Sequence, residues 1–85
     1  MMDSWKEYWA MFDVLCASLE QRGQTDTVQS LRECQRYVTG LTDGWWDFLD
    51  RFRATASVAE KLLLPTERDL IATLDSTLHR ALTNR

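Results

Sequence analysis

The sequence predicts an all-α protein, a small bundle of four or five short helices in a single domain spanning residues 1–85. Three observations carry this expectation. Apolar residues recur at three- and four-residue spacing in successive segments, and no segment alternates long enough to argue a strand. Capping-box patterns accompany those stripes at Ser4/Glu7, Ser57/Glu60 and Thr66/Asp69. A compact chain of this mass hides about two thirds of its unfolded surface, enough for one modest core.

The first helix is expected over about residues 5–22. Ser4 is placed to cap it, and Trp5, Tyr8, Trp9, Phe12, Leu15, Cys16 and Leu19 draw one stripe with Lys6, Asp13 and Glu20 opposite. Gly23 supplies a terminator that tolerates positive φ. A second helix follows a short link, capped by Thr25, Asp26 or Thr27, with Val28, Leu31, Cys34 or Gln35, and Val38 on its stripe and Tyr37 beside it. Gly40 is its expected end. So short a link makes the first two helices an antiparallel hairpin.

The third helix starts after Thr42 or Asp43 and carries Trp45, Phe48, Leu49 and Phe52 on one face. A bend near residues 54–57 is expected, with helix on both sides and Val58, Leu62 and Leu63 turned inward; one long helix over 44–63 is the alternative. Pro65 ends that segment, because it disfavours α geometry at the residue before it. Thr66 then caps the last helix, whose stripe runs through Leu70, Ile71, Leu74, Thr77 or Leu78, and Ala81 or Leu82. The expected buried set is Trp9, Phe12, Leu15, Leu31, Val38, Phe48, Leu49, Phe52, Leu70, Leu74 and Leu78.

The totals narrow the classes of function. A chain of 85 residues is too short for a barrel, a kinase or a dinucleotide-binding domain. The formal charge is −3, so no basic excess draws the protein to nucleic acid. Arg51 and Arg53 lie near aromatics, but Asp47 and Asp50 offset them. Seven of the acids, against four bases, fall in the first 43 residues, which favours a basic partner on that half. No apolar run approaches the roughly 20 residues of a membrane span, and no leader pattern is visible at the N-terminus. Two cysteines make no disulfide framework, so reduced thiols and a cytoplasmic home are expected.

Catalytic signals are weak. His79 is the single histidine, and Cys16 and Cys34 have no ligand cluster around them, so no metal and no cofactor is expected. Asp75 precedes His79 by one helical turn, which reads more simply as a surface pair than as an acid–base couple. Glu67 and Asp69 read as charges suited to a helix N-terminus. No enzyme activity is expected.

Tryptophan is the departure from ordinary composition, with four in 85 residues. Trp45 and Trp46 are adjacent, so on a helix they point about 100° apart and cannot both face one core centre. Large aromatics at a surface favour an interface. The expected interface comprises Tyr37, Trp45 and Trp46 with Asp43, Asp47 and Asp50 steering a basic rim. The functional expectation is a small acidic protein-binding module of the adaptor, inhibitor, immunity, antitoxin or chaperone kind. The alternative is a self-associating bundle, with a second copy of the chain as the partner.

Overall fold

The stripe that opens the chain folds as α1, Met2–Gln21, and it is followed by α2, Thr25–Gln35, α3, Thr42–Val58, a single 3-10 turn at Glu60–Leu62, and α4, Pro65–Thr83. The structure, a computed structural model, describes the backbone of residues 2–38 and 42–83 and the side chains of residues 5–38 and 43–83. The expected all-α bundle is what forms. α1 packs on α2 and α4, and α3 packs on the same two, so the helices make a four-membered ring in chain order. Phe12, Phe48 and Phe52 meet across its centre, with Phe48 and Phe52 stacked at 5.6 Å. No helix among the described residues is long and apolar enough to cross a membrane.

Each junction has a local cause. α1 ends on a glycine-dependent cap: Gly23 has φ +80°, its N–H donates to the Glu20 carbonyl, and the Gln24 N–H donates to the Leu19 carbonyl. These are the two bonds of a Schellman motif, and they turn the chain straight into α2. α2 closes with i to i−3 bonds from Arg36, Tyr37 and Val38. It has only 11 residues against the 20 of α1, about 16 Å against about 30 Å of helix. Beyond the end of α2, the side of the bundle is filled by rings. Trp45 stacks on Trp5 at 4.6 Å and on Trp9 at 5.7 Å.

Several expectations need correction. α1 begins ahead of Ser4, so the Ser4/Glu7 box does not mark its start; the Ser4 and Thr42 side chains and Gly40 lie outside the described residues. α2 starts at Thr25 after Gln24, with no side-chain cap. There is no bend at 54–57: α3 continues to Val58, and the chain turns at Ala59. Ala59 is therefore the buried residue, while Val58 is 88% exposed and Leu62 49% exposed. Ser57 lies inside a helix and caps nothing. Pro65 does separate the two segments, with Leu63 and Leu64 outside any helix, but it is itself the first residue of α4, a position where its missing N–H has no cost, so Thr66 is not the cap. Trp9, Val38 and Leu70 are half-buried; Tyr8, Cys16, Leu19, Cys34 and Leu82 join the core in their place.

Candidate protein interface

The residues expected to form an interface sit on three strips of α3 and its neighbours. Trp45 points inward and is held in the stack with Trp5 and Trp9. Trp46 turns toward α4, where its ring meets His79 edge-on at 6.0 Å. Both tryptophans are half-buried and pack against the core. Tyr37, just past α2, is 38% exposed on the opposite flank, with the Arg51 guanidinium 4.0 Å from its ring centre. Trp46 and Tyr37 are thus kept apart by the width of α3. Between them Asp43, Asp47 and Asp50 are all exposed along the outer ridge of that helix. Their three- and four-residue spacing puts them on one line.

What marks this ridge is the alignment of three exposed acids along one line of a single helix. Arg32 pairs with Asp13 at 2.8 Å, and Arg53 pairs with Asp75 through two bonds of 2.7 and 3.0 Å. The other base of α3, Arg51, lies over the Tyr37 ring. Among the described residues no ion pair engages Asp43, Asp47 or Asp50. The ridge is a local excess of negative charge whose field reaches solvent.

Other polar groups are tied up in the fold. Asp75 is engaged by Arg53 rather than by His79, and its carboxyl lies below its ordinary value because of that hydrogen bond. Arg53 Nη2 also donates to His79 Nδ1 at 3.2 Å. This fixes the imidazole proton on the other nitrogen, since a guanidinium only donates. The pair is a surface network joining α3 to α4. Cys16 and Cys34 are buried free thiols. Burial pushes the Cys16 thiol up to about 11, so it does not ionise as a nucleophile must. Among the described residues no three His, Cys, Asp or Glu side chains gather as a metal site would require.

The polar cluster that sequence reasoning missed is around Glu67. Its side chain has no exposed surface. It accepts from Ser18 Oγ at 2.6 Å, from Arg22 Nη2 at 2.6 Å and Nε at 3.2 Å, and from the Leu64 N–H at 2.8 Å. Arg22 also donates to the Leu62 carbonyl at 2.8 Å. The last contact of Glu67 is half of a capping box with Leu64 as the cap, displaced two residues from the expected Thr66/Asp69 pair. Glu67 falls in register with Leu70, Ile71, Leu74 and Leu78, and that spacing was the available signal. With every carboxylate oxygen satisfied, the cluster fastens α1 to α4 and leaves no lone pair for a ligand.

Three shallow grooves run between the helices on this side of the molecule. The largest, about 530 Å³ between α3 and α4, is floored by Leu63, Ile71 and Ala56 and edged by Arg53 and Arg68 against Glu60 and Asp75. Its charges balance. Two smaller grooves of about 300 and 260 Å³ lie end to end between α2 and α3. Comparison with known protein families, curated proteins and solved structures finds no match to this chain.

Proposed function

We propose that the protein is a small binding module that takes a basic protein partner on the outer ridge of α3. The observation that supports this reading is the row formed by Asp43, Asp47 and Asp50, exposed along one line of α3 and, among the described residues, without an ion pair. Evenly solvated charges keep a protein soluble, but a one-sided row accelerates encounter with a partner of opposite sign. Aromatic contact area is available on each flank, from Trp46 toward α4 and from Tyr37 toward α2. Binding rather than catalysis is the reading because the polar clusters of the fold are saturated by their own partners. The two buried thiols fit a reducing, cytoplasmic setting.

A second copy of the chain is the less favoured partner. In a two-fold interface each surface meets itself, so pairing on this ridge would oppose the three aspartates to their own copies. The test is capture of partners from the native cell with the wild-type chain, with an Asp43→Lys/Asp47→Lys/Asp50→Lys variant, and with a control reversed at Glu20 and Asp69. A partner held by the wild type and the control but lost from the ridge variant is the expected result. The same proteins on all three, or none on the wild type, would overturn the proposal.

A further inference from the structure

The α2–α3 groove lies on the α3 flank beside the acidic ridge, and it is long enough for three turns of a bound helix. Two strips of residues face each other across it. On α2 and the turn that follows it, Asp26, Ser30, Glu33 and Tyr37 follow at intervals of four, three and four residues; on α3, Arg51, Ala54 and Val58 repeat the last two of those intervals. Because the helices are antiparallel, Asp26 lies near Val58 and Tyr37 lies near Arg51. Ser30, Ala54 and Thr55 line both halves of the groove and make it continuous. These are small side chains, so another backbone can approach closely. Val58 at one end is 88% exposed, and Tyr37 at the other is 38% exposed with the Arg51 guanidinium over one face of its ring. From Asp26 to Tyr37 the groove runs about 16 Å, three turns of helix.

Charge selects the occupant. Asp26 and Glu33 line the α2 side, and on α3 Asp47 and Asp50 stand one turn before the lining residues Arg51 and Ala54, all four acids exposed. The basic residue in the lining, Arg51, is folded over Tyr37. A second copy would bring the same acidic rims together. We infer that this groove is the docking track for a basic amphipathic helix of the partner, laid between α2 and α3 with apolar anchors about three turns apart on Val58 and Tyr37. The inference rests on the binding role proposed above and adds the flank, the secondary structure and the chemistry of the bound segment. Helix-in-groove recognition of this kind reads anchors on one helical face while rim charges set direction.

The probe is a synthetic helical peptide with leucines three turns apart, alanines between them and lysines on both flanks, titrated into the ¹⁵N-labelled full chain. The expected result is saturable shifts confined to the amides of residues 26–37 and 47–58, weakened by salt and absent with a glutamate version of the peptide. Val58→Lys and Ala54→Arg, both at exposed positions, should each reduce affinity at least tenfold. Val14→Lys, on the outer side of α1, should not. Melting curves of the variants guard against misfolding. Shifts centred on Trp46 and His79 would overturn the groove while leaving the acidic ridge as the docking face. Failure of the peptide to saturate, or indifference to Val58→Lys, would overturn the groove as well. The binding role itself stands or falls separately, on the capture experiment with the ridge variant.

Discussion

A carboxylate with no exposed surface stays ionised only where its partners replace water, and Glu67 has Ser18, Arg22 and the Leu64 N–H doing so. Burial pushes its carboxyl up, but these hydrogen bonds outweigh burial and hold it below its ordinary value of 4.5. A depressed folded-state value adds stability that is complete above the unfolded value and is lost as pH falls through the folded one. Asp75, held down by Arg53, adds to the same trend. Urea midpoints should therefore be flat from neutral pH to about 5 and fall below about 4.5. Arg22→Met strands the buried charge, which should cost about 3–5 kcal/mol at neutral pH. With Arg22 gone only Ser18 and the Leu64 N–H are left to oppose burial and the carboxyl rises, so the variant should regain part of that loss as pH drops toward 5. A loss that is equal at every pH would refute this reading of the cluster. Tyr8 shows the opposite case. Its hydroxyl is buried and has no hydrogen-bond partner among the described residues, and burial raises its pKa. An orphaned buried donor costs about 1–3 kcal/mol, so Tyr8→Phe should be neutral or stabilising by about 1 kcal/mol in the same unfolding assay.

At the scale of elements, periodicity was a better guide than capping. The stripes through Phe12, Leu15, Leu31, Phe48, Phe52, Leu74 and Leu78 are the core, because a helix whose apolar positions line up has one way to bury them. Helix starts were less legible. Capping patterns are short and recur by chance, and Ser57 and Thr66 both carry one without using it. Pro65 could be read as an end or as a first turn, and only the neighbouring Glu67 contact decides between them. The bend at Ala59 rather than at 54–57 explains why Val58 was expected inside and is found outside. Of the candidate interface, the divergence of Trp45 and Trp46 was legible from adjacency. The separation of Tyr37 from Trp46 was not, since it depends on which helices flank α3. Gly23 is the junction where sequence and backbone agree, and it offers a clean test. A Cβ there would meet nothing within 4 Å, so the cost of Gly23→Ala is the left-handed backbone alone. Thermal unfolding should show a loss of about 1–2 kcal/mol.

The whole molecule is an elongated ring of helices, 37 by 20 by 17 Å, with a short α2 beside a longer α3 that carries the row of Asp43, Asp47 and Asp50. The helix lengths set the long axis, and the difference in length between α1 and α2 sets where the tryptophans gather. On the proposed reading, charge governs association. Sedimentation should show a monomer of 9.9 kDa at micromolar concentrations, since like charges oppose pairing on the α3 ridge; a dimer that persists in Asp47→Lys/Asp50→Lys would place self-association on another face. The most direct test of a steering role for the ridge is the association rate of a captured partner at low and high salt, measured for the wild type and for Asp47→Lys/Asp50→Lys. Steering by opposite charge acts mainly on the forward rate. The predicted result is a rate at least about tenfold lower in the variant at low salt, with the difference closing as salt is raised. Equal rates for the two chains, unchanged by salt, would contradict it.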